Sequence, residues 1–187
     1  MIIKKTDIPD VKILIPSIFK DRRGLFQEIF NKMTLESNDI IFDCLQINKS
    51  SSIKKNTIRG LHYQIPPFAQ AKLVRVSKGS ILDIAVDIRK SSPTFGKYVK
   101  KIINAANRNQ FLVPRGFAHG FLTLEDDTEV EYLVDNFFSK EHDKGLFWKD
   151  DELGIDWGIS KDIAIVSSKD LQLPNFEEVN LNYNWNG

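Results

Sequence analysis

Three polar side chains stand where strand alternation would put apolar ones, and each carries a group able to move a proton or hold charge. Thr57 to Gln64 (TIRGLHYQ) reads as a strand on which His62 shares a face with Ile58 and Gly60. In Lys72 to Ser77 (KLVRVS), Lys72 shares its face with Val74 and Val76; in Thr128 to Val134 (TEVEYLV), Tyr132 shares its face with Val130 and Val134. An imidazole titrates near neutrality and can take or return a proton. A phenol, with an ordinary pKa of about 10, can give a proton to a strongly basic carbon. A fixed ammonium in a water-poor site can hold developing negative charge. Each residue also has a plain structural explanation: a hydrogen-bonded histidine, a core-filling tyrosine, a lysine snorkelling to solvent. Three together on facing strands are harder to account for as packing. His119, in PRGFAHGF from Pro114 to Phe121, follows a turn and lies among small residues that leave room for a ligand.

Metal chemistry is the rival use of histidines. The chain has only His62, His119 and His142, with no His-x-His pair. Two distant histidines and a carboxylate could form a facial triad, but an inward lysine would place a repelling cation beside it. No metal is expected.

The elements that must position these groups are short strands. In Ser80 to Arg89 (SILDIAVDIR), Leu82, Ile84, Val86 and Ile88 fall on one face and Asp83, Asp87 and Arg89 on the other, which reads as a half-buried strand. Similar runs occupy Tyr98 to Ile103, Gln110 to Val113 and Ala118 to Leu124, separated by turn signals such as Pro66-Pro67, Lys78-Gly79 and Pro114-Arg115-Gly116. One short helix near Met33 to Asn38 is predicted. Many short strands with little helix between them indicate an all-β jelly-roll sandwich or barrel.

At 187 residues and 42% apolar content, with no repeat or linker, the chain is expected to form a single domain over 1–187. Its 26 basic and 25 acidic residues give no broad field to attract nucleic acid or an anionic membrane. No run approaches a membrane span or signal peptide, and the single cysteine, Cys44, reads as a small buried thiol suited to a reducing cytoplasm. The expected location is cytoplasmic.

Several quoted segments carry a family resemblance: DRRGLFQE (21–28), RGLHYQ (59–64), QAKLVRV (70–76), VDIR (86–89) with SPTFG (92–96), PRGFAHGF (114–121) and SKD (168–170). In this order and spacing, the chain resembles the cupin-type dTDP-4-dehydrorhamnose 3,5-epimerase family along nearly its whole length. The resemblance implies a homodimeric cupin-type jelly roll without cofactor. Its substrate would be a nucleoside-diphosphate 4-keto-6-deoxy sugar, in deoxysugar synthesis for surface polysaccharide. It places the general base on His62, the general acid on Tyr132 and the partner of the base on Asp170. Lys72 and His119 would line the sugar site. Nucleotide and diphosphate contacts would fall on Arg23, Phe26, Glu28, Gln46, Asn48 and Arg59, with further contacts at Asp143 and Lys169.

Hydrogens on C3 and C5 of a 4-keto sugar are both acidified by the carbonyl, so removing either one leaves an enolate on the C4 oxygen. Inversion requires the proton to return from the other face, hence two groups on opposite sides of the ring. Lys72 or His119 could stabilise the enolate oxygen, and Arg23 and Arg59 suit a diphosphate.

Simple alternation puts Arg59 on the face opposite His62. A bulge at Gly60 or service to a neighbouring subunit would reconcile them. Phe137-Phe138 replace the paired tyrosines usual in the family, Trp148-Lys149-Asp150-Asp151 replaces a Trp-Asn-Asp-Pro-like segment, and Asp143 stands for a common glutamate. These departures leave three alternatives open: inversion at C3 or C5 alone, another substrate such as a GDP-linked 4-keto heptose, and a non-catalytic sugar-nucleotide binding module.

Overall fold

The computed structural model describes residues 1–179 and 183, so 180–182 and 184–187 of the expected domain lie outside the described residues. Fourteen strands follow in chain order: β1 (Ile2–Lys5), β2 (Lys12–Ile15), β3 (Ile18–Asp21), β4 (Gly24–Gln27), β5 (Gln46–Ser52), β6 (Thr57–Gln64), β7 (Lys72–Lys78), β8 (Ser80–Asp87), β9 (Tyr98–Asn104), β10 (Gln110–Val113), β11 (Phe117–Thr123), β12 (Thr128–Val134), β13 (Asp143–Gly145) and β14 (Ile165–Val166). Among the described residues one short α-helix, α1 (Lys32–Glu36), lies between β4 and β5. The Asn31 side chain caps it by accepting from the Thr34 amide, and Leu35 is its buried residue.

The strands form two facing sheets. One runs β1-β2-β10-β7-β12-β5; the other runs β13-β6-β11-β8-β9, with β14 also on β6. β3 and β4 make a separate two-stranded hairpin. Sequence neighbours such as β7 and β8 lie in different sheets, which is the crossing pattern of a jelly roll.

Three apolar layers hold this arrangement. Val74, Val76, Ile81, Ala85, Phe111, Phe117, Phe121 and Val130 pack between the sheets. α1 and the segment after it cover the outer face of the first sheet through Leu35, Ile40 and Phe42 against Leu73, Leu112 and Leu133, with Cys44 half-buried at the margin. The outer face of the second sheet, with Ile58, Leu61, Ile84, Val86 and Ala118, is roofed by Leu146, Trp148, Leu153, Ile155 and Trp157. Trp148 and Trp157 are fully buried, and the Trp157 indole donates to the Trp148 carbonyl at 2.7 Å. A buried indole without such a partner would lose part of what its burial gains.

That roof corrects the reading of β8 as half-buried. Leu82, Ile84 and Val86 face the roof, while Ile81, Asp83 and Ala85 face the space between the sheets. Asp83 and Asp87 are therefore interior carboxylates rather than solvated ones. Asp87 is satisfied by Arg89, Ser92 and Thr94.

Candidate active site

His62 faces the space between the sheets, but not because it shares a face with Ile58 and Gly60. Ile58, Leu61 and Tyr63 all pack into the roofed layer on the other side. The register along β11 explains this: His119 stands opposite His62 while Phe121 stands opposite Arg59, so two steps of β11 span three of β6. The extra residue is a bulge, and it returns Arg59 and His62 to one face. Both line one cavity. Only glycine fits at position 60, where φ is +115° and a Cβ would stand 2.7 Å from the Gly120 Cα and from the His119 carbonyl oxygen.

The cavity has a volume of about 560 Å³ and is partly open to solvent. β6 and β11 bring Arg59, His62 and His119 to it from one sheet, β7 and β12 bring Lys72 and Tyr132 from the other, and the C-terminal segment adds Lys169 and Asp170. Ser50 of β5 and Ser167 also line it.

Within it, His62 Nε2 is 2.9 Å from Asp170 Oδ1. Asp170 is buried at the start of a short 3-10 turn, and its Oδ2 accepts from the Gly60 amide at 3.2 Å. Burial raises the Asp170 pKa, yet the hydrogen bonds of His62, Gly60 and Ser167 outweigh it and hold the carboxyl below its ordinary range. Asp170 thus stays ionised, accepts Nε2–H, and leaves His62 Nδ1 to take a proton.

Burial lowers the Lys72 pKa to about 8, with Asp143 and Asp83 opposing the shift. Its ammonium donates to the His62 carbonyl at 3.2 Å. Burial likewise lowers His119, against the pull of Asp83 at 2.6 Å from Nε2 and with help from the Lys72 and His62 charges. A neutral His119 giving Nε2–H to Asp83 has no second N–H to offer. Tyr132 is raised by burial, and its hydroxyl bonds Ser50 Oγ at 3.1 Å. Among the described residues no three His, Cys, Asp or Glu side chains gather as metal ligands would.

The remaining sequence candidates divide. Lys169 pairs with Asp143 at 2.7 Å, which ties Asp143 to the cavity rim. Arg59 spends two N–H groups on Ser52 Oγ and the Ser51 carbonyl, leaving others of its fork for a ligand. Gln46 and Asn48 alternate with Ser50 along β5 and bond each other at 2.7 Å; neither lines the cavity itself. Arg23, Phe26 and Glu28 are not brought to it. Arg23 and Phe26 line a separate depression on the β3–β4 hairpin, where Arg23 pairs with Asp21, and Glu28 accepts from Asn31 just beyond.

The two departures from the family pattern also differ in kind. Trp148 is core, and Asp150 is buried with its carboxylate accepting from the Leu153 and Phe176 amides, so that segment is structural. Phe137 and Phe138 are both 56% exposed, on a backbone held by Gln64 and Gln46. Sequence reasoning missed Asp83 and Ser50. Ile81 and Ala85 flanking Asp83 were a signal that its face is interior. β5 gave no apolar alternation to reveal Ser50.

The family model for dTDP-4-dehydrorhamnose 3,5-epimerase matches residues 5–178. A dTDP-4-dehydrorhamnose 3,5-epimerase from Shigella flexneri is 46% identical over 173 residues, 92% of this chain and 94% of its own. The crystal structure of the Bacillus anthracis enzyme of that name, with TDP and PPi bound, superposes with a TM-score of 0.89 at 46% identity, covering 92% of this chain and 98% of that one. A dTDP-6-deoxy-D-glucose-3,5-epimerase from Legionella pneumophila in complex with dTDP-4-keto-L-rhamnose gives a TM-score of 0.93 at 36% identity, covering 99% and 98%. Taken with the jelly roll and its acid–base cavity, these matches establish that the chain belongs to the dTDP-4-dehydrorhamnose 3,5-epimerase family of carbohydrate isomerases.

Proposed function

We propose that the protein inverts C3 and C5 of a dTDP-linked 4-keto-6-deoxy sugar, using His62 as base and Tyr132 as acid. The observation that carries this reading is their placement on opposite sheets around one cavity, with a buried carboxylate on the base. His62 Nδ1 takes the proton α to the ketone, and Asp170 stabilises the imidazolium that forms. Lys72, the remaining cation near the reacting carbons once His119 is neutral, donates to the enolate oxygen. Tyr132 then protonates the opposite face of the same carbon. Arg59 and Lys169 bind the diphosphate, and the exposed rings of Phe137 and Phe138 beside Gln46 offer an apolar face to the nucleobase.

The sugar nucleotide incubated with the enzyme in deuterated water tests the reaction. Deuterium should enter at both C3 and C5 with both centres inverted; absence of uptake at either carbon overturns the reading. Followed across pH, the rate should fall as pH rises through about 8, because Lys72 is charged below that value and neutral above it. Lys72→Met should abolish this limb and cost about a hundredfold in kcat. A limb unchanged in the variant would assign it elsewhere.

The protein is further proposed to act as one domain and as a cytoplasmic homodimer. The β3–β4 hairpin exposes Phe19, Leu25 and Phe26 at 62%, 43% and 69%, a costly arrangement for a solvated loop. Docked on a second copy, it would bury these side chains and carry Arg23, Phe26 and Glu28 toward that copy's site. The solution mass should be that of two chains.

A further inference from the structure

Arg59 is one of the two cations assigned to the diphosphate in the function proposed above, the reading on which this inference rests. It is held differently from other cations of the chain. Arg75 is bonded to Glu131 at 2.8 Å, Arg115 to Asp135 at 2.9 Å and Lys169 to Asp143 at 2.7 Å. Among the described residues Arg59 bonds no carboxylate. Its partners are the Ser52 hydroxyl oxygen, which accepts Nε–H at 3.1 Å, and the Ser51 carbonyl, which accepts from Nη2 at 3.0 Å.

The neutrality of these acceptors matters. A carboxylate would fix the guanidinium and cancel its charge as well; a hydroxyl and a carbonyl fix it and leave the charge for a ligand. The two bonds also occupy a single edge of the planar fork, Nε with one hydrogen of Nη2. The edge between Nη1 and Nη2 stays free, and its paired donors suit two phosphate oxygens.

This hold crosses from one sheet to the other. Ser51 and Ser52 end β5, the edge strand of the first sheet, whereas Arg59 is on β6 of the second. Arg59 is exposed, while Ser52 is 4% exposed and stands opposite the fully buried Thr128 of β12. A buried hydroxyl fixed on a strand therefore anchors a long, exposed and otherwise flexible side chain. Without that anchor, several rotamers would have to be frozen when a ligand binds, at a cost in affinity. Ser52 itself does not line the cavity.

We infer that Ser52 is a positioning residue for diphosphate recognition, holding the Arg59 fork with its charge uncancelled and its second edge free. Ser52 touches no substrate atom in this role and acts through Arg59.

A double-mutant cycle on dTDP affinity, read by isothermal titration calorimetry, tests this with the wild type, Ser52→Ala, Arg59→Ala and the double variant. Ser52→Ala should weaken dTDP about fivefold to tenfold, yet cost less than about twofold when Arg59 is already alanine, because no guanidinium is left to hold. A general loosening of β5 would add its cost in both backgrounds, so the cycle separates it from a role through Arg59. With the sugar nucleotide as substrate, Ser52→Ala should raise KM by a similar factor and leave kcat within about threefold, since His62 and Tyr132 are untouched. Ser52→Thr keeps a hydroxyl on a residue suited to a strand and should restore the affinity. Undiminished dTDP affinity in Ser52→Ala, or losses that add fully in the double variant, overturns the role of Ser52. If Arg59→Ala itself binds dTDP as the wild type does, the assignment of Arg59 to the diphosphate is wrong, and that result is distinct from a failure of Ser52.

Discussion

His62→Ala is expected to lower kcat about a thousandfold, roughly 4 kcal/mol of barrier, and to abolish deuterium uptake at C3 and C5 together. Both losses follow from one cause, since His62 is the partly exposed imidazole on the cavity wall, whereas the other candidate groups are charged, paired or buried. Lys72 is held as an ammonium at neutral pH, and Lys169 is tied to Asp143. His119, though neutral, lies among buried side chains with its imidazole on Asp83. The loss should appear without unfolding, because the His62 side chain is 30% exposed on the cavity wall and its removal opens no closed void. Asp170 keeps its Gly60 amide. Turnover within tenfold of the wild type, with uptake retained, would remove His62 as the base.

Tyr132→Phe should separate exchange from inversion. The ring keeps its contacts with His119 and Phe121, so only the hydroxyl and its bond to Ser50 are lost. His62 can still take a proton, trade it for solvent deuterium and return it to the face it came from. Deuterium is therefore expected to enter with retained configuration, while inversion falls about a hundredfold or more. A nuclear magnetic resonance time course that follows the label and the configuration of each carbon reads both quantities. Equal loss of exchange and inversion would mean that the hydroxyl helps form the enolate rather than quench it. A binding module without catalysis predicts no exchange even in the wild type.

The site was unevenly legible. Lys72 and Tyr132 were placed by counting residues, because β7 and β12 keep strict alternation where they meet the core: Val74, Val76 and Val130 share their layer. For His62, alternation gives the right side of the sheet on the wrong grounds. Counting from Ile58 assumes that every residue advances the pleat, and the bulge at Gly60 breaks that assumption. The same bulge resolves Arg59, which joins His62 without help from a neighbouring subunit. β8 reads as half-buried because alternation of Asp with Ile resembles a solvated face whenever the covering element is distant in sequence. Its roof comes from residues around 146–157, some sixty positions later.

What the amino-acid sequence determined by itself was local and chemical. Period-two apolar patterning specified most of the strands that carry the site, and motif order placed the chain near its family and named His62, Tyr132, Lys72 and Asp170. Tertiary structure alone decided the pairings: Asp83 against His119, Ser50 against Tyr132, and the side of the sheet that His62 faces. The physical reason is that alternation follows from backbone geometry within one strand. Pairings between residues 36 or 82 positions apart depend instead on which strands lie side by side, and on how a single extra residue shifts their register.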